Sequence, residues 1–187
     1  MRVPNVRMSA AVGMVALTAV LWSAVPAAAQ QAAPKLRSPD VVYVPTPQEV
    51  VDAMLKMARV TARDVVYDLG SGDGRIPITA AEKYGARAIG IDINPERIKE
   101  ARENLARSKA GDKVTFLNQD LFESDISDAT VVTLYLLPSL NIKLMPKLKA
   151  LKPGTRIVSH SFSMGDGWPA EKTENVNGKM IYYWTIK

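Results

Sequence analysis

The chain has 187 residues, of which 47% are hydrophobic and 23% are charged, and its formal net charge is +5. That length and apolar content suit one globular domain with a substantial core. The sequence has no cysteine, which excludes disulfides, thiolate catalysis and cysteine-ligated metal sites. The positive charge is not gathered into a Lys/Arg run with interleaved aromatic residues, so composition does not favour a nucleic-acid-binding protein.

The amino terminus has the pattern of a secretory signal peptide. Two arginines within the first seven residues precede an uncharged apolar stretch over residues 8–25, and a Pro-Ala-Ala-Ala sequence then fits an A-x-A cleavage site. We predict a signal peptide over residues 1–29, a linker over residues 30–40 and a domain over residues 41–187 that is exported to the periplasm or secreted. The alternative is a retained membrane anchor, because the apolar stretch is close to spanning length.

Beyond the linker, short apolar runs alternate with segments of helical hydrophobic period. The predicted strands cover residues 64–68, 88–92, 113–117, 129–136 and 155–162, and the predicted helices cover residues 47–58, 75–84, 95–110 and 139–151, the last broken at Pro146. The Asn177-Gly178 dipeptide then favours a type I′ turn between two final strands. This order indicates an α/β fold with a doubly wound, mostly parallel sheet and a C-terminal antiparallel hairpin.

Capping residues mark the ends of the predicted helices. Thr46, Pro47 and Glu49 fit a capping box with proline at the first helical position. Asn94 fits the cap of the third helix, and Gly111 fits its end. Two interpretations of Thr46 stay open at this point: its hydroxyl acts only as a helix cap, or the Pro-Thr-Pro turn also lies against a bound cofactor.

The chain is organised around the stretch from Val65 to Arg75. An apolar run ends at Asp68, and three glycines follow at alternate positions, where they allow positive φ and close approach of a ligand. A dinucleotide fingerprint requires G-x-G-x-x-G, but here the spacing is G-x-G-x-G, bracketed by Asp68 and Asp73. Two carboxylates would repel a pyrophosphate and attract a sulfonium and an ammonium group. The stretch therefore suits S-adenosylmethionine better than NAD, with a glycine-rich turn that binds nothing as the alternative.

Two further acidic residues follow predicted strands. Asp92 lies 22 positions after Gly70, close to the spacing at which an acid meets a ribose, and its two oxygens could accept from vicinal hydroxyls. Asp120 follows the third strand, where it could accept from an adenine amino group while Leu121 or Phe122 packs on the ring. The alternatives are a strand-end cap for Asp92 and an Asx turn for Asp120.

Tyr135 and His160 are the candidates on the acceptor side. In a sheet of this kind the loop after the fourth strand faces the reacting group, and Tyr135 is the polar residue best placed there. A core tyrosine with a satisfied hydroxyl is the alternative. His160, the only histidine, lies on the fifth predicted strand, where a structural hydrogen bond is a more common role than contact with substrate.

Four motifs together resemble one branch of the class I methyltransferases. They are D-L-G-S-G-D-G-R over residues 68–75, G-I-D-I-N-P over 90–95, T-L-Y-L-L-P over 133–138 and G-T-R-I-V-S-H-S-F over 154–162, with V-P-T-P over 44–47 ahead of them. That branch contains the mitochondrial protein-lysine methyltransferases acting on the ATP synthase c-subunit and the adenine nucleotide translocase, with their bacterial relatives. The resemblance covers residues 43–187 and implies a Rossmann-like methyltransferase sheet.

The resemblance implies S-adenosylmethionine as the cofactor. The glycine turn and Asp68 would hold its methionine part, Asp92 its ribose and Asp120 its adenine. The complete predicted site has Tyr135 as the catalytic residue and, for cofactor binding, Thr46, Asp68, Gly70, Ser71, Gly72, Gly74, Asp92, Ile93, Asp120 and Leu121.

The resemblance also implies transfer of a methyl group to a protein lysine, including lysines of membrane proteins. The amine must lose its proton, and desolvation and the sulfonium charge both lower its pKa, so no strong base is required. No metal and no nucleic-acid partner is predicted. The alternatives are a non-catalytic module that binds an adenosyl ligand or a partner, which the export signal favours because S-adenosylmethionine is made in the cytoplasm, and a small-molecule methyltransferase.

Overall fold

A computed structural model describes residues 36–39 and 42–187 of the chain. The predicted signal peptide and most of the predicted linker lie outside these residues. Within the described ranges, no helix is both long enough and apolar enough to cross a membrane.

Strands and helices alternate along most of the described chain. The helices are α1 (Gln48–Met57), α2 (Arg75–Tyr84), α3 (Pro95–Arg107) and α4 (Pro138–Lys149). The strands are β1 (Val65–Leu69), β2 (Arg87–Asp92), β3 (Val114–Asn118), β4 (Val131–Leu134), β5 (Arg156–His160), β6 (Lys172–Val176) and β7 (Lys179–Thr185). The predicted strands are therefore confirmed, with ends displaced by one or two residues.

The strands form one sheet in the order β3-β2-β1-β4-β5-β7-β6. The first five strands in this order pair in parallel, whereas β7 pairs antiparallel with both β5 and β6. The direction in which successive strands are added reverses between β1 and β4, and α/β sheets bind ligands at the carboxyl ends of such a strand pair. The predicted doubly wound fold with a C-terminal hairpin is confirmed.

The sheet separates two apolar clusters. Successive residues of β1, such as Val66 and Tyr67, belong to different clusters because side chains alternate across a strand. All four residues of β4 are fully buried, which confirms the prediction that the most apolar run forms a central strand. The side chains by which α1 covers one face are Val50, Val51, Met54 and Leu55.

Helix α1 begins one residue later than predicted, and Thr46 does not cap it. The cap position is held by Pro47, whose carbonyl accepts from the Val50 and Val51 N–H groups, and no side chain caps the helix. The predicted capping box of Thr46 and Glu49 is therefore wrong. The physical reason is that the Thr46 hydroxyl is hydrogen-bonded to Nδ1 of His160, at 3.1 Å, and is not available to the helix.

Helix α3 begins as predicted but ends earlier. Asn94 caps it through a side-chain hydrogen bond of 2.9 Å to the backbone, and Pro95 is its first residue. The prediction that Gly111 ends the helix is wrong, because the helix stops at Arg107. The Ser108 hydroxyl donates to a carbonyl of the last turn at 2.8 Å, and Gly111 instead starts a short 3-10 turn.

Helix α4 is continuous through Pro146, where the sequence predicted a break. A proline in a helix removes one N–H, here the donor to the carbonyl of Ile142. Ile142 is 48% exposed, so water can satisfy that carbonyl. The buried side of the helix is unaffected, and Leu144 and Leu148 pack there in the core.

The final hairpin follows the turn chemistry of its sequence. Asn177 has a φ of 50° and Gly178 a φ of 82°, which is the pair of positive φ angles that a type I′ turn requires. The Asn175 side chain accepts from the Gly178 N–H at 2.8 Å and supports the turn.

Candidate functional site

A cleft that is open to solvent lies at the carboxyl edge of the sheet. Its walls come from the turn after β1, the ends of β2 and β4, and the segment that precedes α1. Most of the predicted site residues line it, namely Thr46, Asp68, Gly70, Ser71, Asp92, Ile93, Leu121 and Tyr135. Three predicted residues do not: Gly72, Gly74 and Asp120.

The turn after β1 depends on glycine at two positions. Gly70 has a φ of +86°, and a Cβ there would lie 3.0 Å from the Leu136 side chain. Gly72 has a φ of +53°, and a Cβ there would lie 2.2 Å from the Tyr43 ring. Residues with a Cβ rarely adopt such φ values. The space beside Gly72 is filled by Tyr43, a cleft residue that the sequence analysis missed.

Asp68 is a buried carboxylate at the end of β1. It is 3% exposed and accepts from the Thr133 hydroxyl at 2.7 Å. Burial raises the pKa of Asp68 to about 7, with the charges of Asp92 and Asp73 acting in the same direction and the Thr133 hydrogen bond opposing them. A cation placed in the cleft would therefore favour the ionised form of Asp68.

Asp92 is anchored by the backbone at the end of β2. Its Oδ2 accepts from the Gly72 N–H and its Oδ1 accepts from the Asn94 N–H, each at 2.9 Å. These bonds fix the plane of the carboxylate. Each oxygen retains acceptor capacity for a further donor, so both oxygens can still meet hydroxyl groups in the cleft.

Arg75 ties the glycine turn to the segment before α1. Its guanidinium forms an ion pair with Asp73 at 2.6 Å and donates to the Thr46 carbonyl at 2.8 Å. Burial works to raise the pKa of Asp73, but the hydrogen bonds and charge of Arg75 outweigh it and hold that pKa below its usual value. Asp73 is therefore neutralised by Arg75. Asp73 was expected to face a cationic ligand, and its pairing with Arg75 was not predicted.

Asp120 faces a different partner from the predicted adenine. Its carboxylate forms an ion pair with Arg37 at 2.6 Å and accepts from the Phe122 N–H at 2.9 Å. The Arg37 hydrogen bond is the main reason that the pKa of Asp120 is lowered. Contact with an adenine stays a prediction, and it requires this carboxylate to leave or share Arg37. Leu121, the next residue, does line the cleft.

Three residues meet at the acceptor side of the cleft. Tyr135 lines the cleft, and its ring centroid lies 3.9 Å from that of His160. His160 is 1% exposed and reaches Thr46, which also lines the cleft. The structural role for His160 that the sequence favoured fits this burial. Of the two interpretations of Thr46, the helix cap is wrong, because its hydroxyl does not cap α1. Contact with a bound cofactor stays a prediction, and Thr46 does line the cleft.

The cleft fits S-adenosylmethionine by the chemistry of its own residues. Asp68 offers a buried carboxylate to an ammonium group, and Asp92 offers two oxygens to the hydroxyls of a ribose. The Ser71 hydroxyl is buried with no hydrogen-bond partner in the described chain, so a ligand donor or acceptor would satisfy it. Leu121 and Leu136 supply apolar parts of the lining.

Comparison with known proteins agrees with this chemistry. A family model described as "ANTKMT methyltransferase domain" matches residues 68–172, more than half of the chain. The chain belongs to this family. It is an S-adenosylmethionine-dependent methyltransferase, and the predicted family, fold, enzyme class and cofactor are confirmed.

Two relatives of this methyltransferase are named as lysine N-methyltransferases. A protein-lysine N-methyltransferase of Saccharolobus islandicus is 48% identical over 154 residues, which cover 79% of this chain and 95% of the relative. The human lysine N-methyltransferase named for the ATP synthase c-subunit is 31% identical, with 79% of this chain and 61% of the human protein covered.

Among solved structures, a protein described as an RNA methyltransferase from Salinibacter ruber, in complex with S-adenosyl-L-homocysteine, is 56% identical, with a TM-score of 0.75. The match covers 76% of this chain and 94% of the Salinibacter chain.

Within residues 36–39 and 42–187 of the methyltransferase, no group of three or more His, Asp or Glu side chains could hold a metal ion.

Proposed function

We propose that this methyltransferase transfers a methyl group to the ε-amino group of a protein lysine. The observation that carries the proposal is the match over 95% of the Saccharolobus islandicus enzyme, whose name specifies protein lysine. The shape of the site supports it, because the acceptor side is a tyrosine beside the apolar Leu136 and Leu140. A lysine presents an amine on an aliphatic stem, which suits such a surface.

We further propose which residues hold the cofactor. Asp68 would bind its ammonium group, Asp92 its ribose, Leu121 its adenine ring, and the backbone of Gly70 and Ser71 its methionine part. When bound, S-adenosylmethionine supplies an electrophilic methyl group on a sulfonium centre. The protein residues would bind, orient and desolvate the two reactants.

Tyr135 would act on the acceptor amine. A lysine at its ordinary pKa of about 10.4 is protonated near neutral pH and cannot attack. Transfer into the apolar cleft, close to a positive charge, lowers that pKa. The Tyr135 hydroxyl, which makes no hydrogen bond within the described residues, would accept a hydrogen bond from the amine and direct its lone pair. Positioning of this kind supplies much of the rate in an in-line displacement.

RNA is a second candidate acceptor because of one observation, the description of the Salinibacter ruber protein as an RNA methyltransferase. The two acceptors require different surfaces. RNA binding would need a continuous basic surface around the cleft. Each of the three arginines that line the cleft is instead paired with a carboxylate: Arg37, Arg75 and Arg97. These pairings favour the protein substrate.

One experiment separates these candidates. The purified methyltransferase is incubated with methyl-labelled S-adenosylmethionine and, in separate reactions, with membrane protein, soluble protein, RNA and the small-molecule extract of the same cells. We expect label on protein lysine, mapped by mass spectrometry, with membrane protein as the better acceptor. Label on RNA alone would replace the proposal by the second candidate. Label on a small molecule would support a small-molecule methyltransferase, and tight cofactor binding without transfer would support a binding module.

We also propose that the chain is exported and that its mature form begins at Gln30. The amino-terminal pattern supports this, and the arginines ahead of the apolar stretch would hold that end in the cytoplasm and send the domain across the membrane. Scarcity of S-adenosylmethionine outside the cytoplasm opposes it. Amino-terminal sequencing of the protein from fractionated cells decides the matter. An intact Met1 on a cytoplasmic species would refute export, and an intact Met1 in the membrane fraction would indicate the retained anchor.

A further inference from the structure

His160 joins two cleft residues although it does not line the cleft itself. It is the last residue of β5 and is 1% exposed. Its Nδ1 lies 3.1 Å from the Thr46 Oγ1, and its ring centroid lies 3.9 Å from that of Tyr135, with the ring planes tilted by 36°. Thr46 and Tyr135 are remote in sequence, and His160 contacts both of them.

The two cleft residues have little else to fix their polar groups. Within the described chain, the Thr46 hydroxyl has no hydrogen-bond partner besides His160, and the Tyr135 hydroxyl has none. The other ring contact of Tyr135 is Phe162, at a centroid distance of 6.2 Å, much looser than the contact with His160. The imidazole is therefore the group that orients both residues from behind the cleft wall.

The protonation state of His160 sets the direction of its hydrogen bond. Burial, with the charge of Lys179 as a second cause, lowers the pKa of His160 to about 4. The ring is therefore neutral near pH 7 and carries one N–H. Its Nε2 is buried and has no partner among the described residues. Because buried N–H groups without an acceptor are rarer than buried acceptors without a donor, the proton belongs on Nδ1.

With the proton on Nδ1, His160 donates to the Thr46 oxygen. The Thr46 hydroxyl then keeps its own hydrogen for an acceptor in the cleft. We propose that His160 is a positioning residue for methyl transfer: it turns the Thr46 hydroxyl into a donor toward the cofactor and supports the Tyr135 ring beside the acceptor amine. The Tyr135 half of this inference rests on the proposed function.

The first test reads the tautomer directly. Since the sequence contains one histidine, long-range ¹H–¹⁵N NMR of the ¹⁵N-labelled, tag-free protein reports His160 alone. At pH 7.5 we expect the Nδ1–H tautomer, both in the free protein and with S-adenosylmethionine added. The Nε2–H tautomer would overturn the inference. This measurement needs no acceptor, so it stands whether or not the natural acceptor is a protein lysine.

The second test separates the two contacts of His160. His160→Phe keeps a ring behind Tyr135 but loses the hydrogen bond, so it should weaken S-adenosylmethionine binding about tenfold and affect kcat less. Thr46→Val should weaken binding by the same factor, and the double variant should bind no more weakly than either single variant.

His160→Asn keeps a donor near Thr46 but loses the ring, so it should lower kcat tenfold or more and affect binding less.

Calorimetry gives the cofactor affinity and labelled-methyl transfer gives kcat, with melting temperatures recorded for every variant. Thr115→Val, at an exposed position on β3, is the matched control. The inference would be overturned if His160→Phe and His160→Asn changed affinity by the same factor and kcat by the same factor. It would also be overturned if neither variant changed affinity or kcat. If the unaltered protein transfers no methyl to lysine, the proposed function fails, while the tautomer and the affinity pattern still test the Thr46 contact.

Discussion

Asp92 is the residue from which the largest loss of cofactor affinity is expected. Its oxygens are held by the Gly72 and Asn94 N–H groups, so they are oriented before a ligand arrives. Asp92→Ala should weaken S-adenosylmethionine binding by about 1.5–3 kcal/mol, the range for hydrogen bonds to a charged group. Calorimetry measures this, with Asp112→Ala at an exposed site as control. An affinity unchanged by Asp92→Ala would contradict the ribose assignment.

Asp68 should make cofactor binding depend on pH. Its pKa is raised to about 7, mainly by burial, so below pH 7 the carboxyl is protonated and binding of an ammonium group must release that proton. Affinity should therefore rise as pH increases toward about 7. It should fall again above about 8, where an α-amino group loses its proton.

Calorimetry from pH 5.5 to 9 in two buffers of different ionisation enthalpy tests the Asp68 prediction, because proton release adds a buffer-dependent heat. Asp68→Asn retains an acceptor for the Thr133 hydroxyl and should abolish the rise between pH 6 and 7. A rise that persists in Asp68→Asn would assign the titration to another group.

The residues that the sequence placed correctly are those whose position depends on the local chain. Asp92 is the last residue of β2 and Asp68 is the residue before the last of β1, and the strand pattern alone brings them to one edge of the sheet. The contacts of Thr46 and Asp120 were harder to predict, because each residue is bound to one far away in the sequence. Thr46 is bound to His160 and Asp120 to Arg37. Nothing in the local pattern of either residue specifies such a partner.

At the scale of elements, Asp64 joins the starts of three parallel strands. It precedes β1, accepts from the Thr130 hydroxyl before β4 at 2.8 Å, and pairs with Arg156 at the start of β5. The Thr61 N–H adds a further bond of 2.7 Å. Burial opposes ionisation of Asp64, but these donors outweigh it and lower its pKa.

Removing this carboxylate should loosen the amino-terminal edge of the sheet. Asp64→Ala leaves the partly buried Arg156 without its carboxylate partner, and the free energy of unfolding should fall by about 3 kcal/mol in urea titrations. Because the pKa of Asp64 is lower in the folded state, its contribution is full above the ordinary pKa of about 3.9 and is lost as pH falls through the folded value. Asp166→Ala, at an exposed position, is the control. A loss of unfolding free energy below about 1 kcal/mol for Asp64→Ala would mean that the ion pair between Asp64 and Arg156 is too hydrated to stabilise the fold.

The limits of helices and strands could be predicted where they depend on the conformational preferences of turn and capping residues. The Asn177-Gly178 turn and the Asn94 cap act through their own side chains and backbone preferences, and both are found as predicted. The end of α3 at Arg107 and the continuity of α4 through Pro146 depend on the solvation and packing of particular carbonyl groups. A hydrophobic period does not contain that information, so these limits were missed.

At the scale of the whole molecule, the cofactor should stabilise the fold. The cleft is built from residues of β1 and β2, the segment that follows β4 and the segment before α1, so unfolding of the domain destroys it. S-adenosylmethionine at a hundred times its Kd should add about 2.7 kcal/mol, or about 5–11 °C in melting temperature for a domain of this size. NAD at the same concentration should leave the melting temperature unchanged. A shift with NAD alone would contradict the cofactor preference deduced from the glycine spacing.

The interior position of β7 has a consequence for how the sheet is completed during folding. β7 pairs on both sides, with β5 and with β6, although it follows both in the sequence. Until β7 docks, the edge of β5 is open and β6 has no partner. Exposed strand edges recruit other chains. The two-residue turn at Asn177-Gly178 keeps β6 and β7 adjacent in the sequence, so the hairpin can form locally within about 1–10 μs and close the sheet before another chain does.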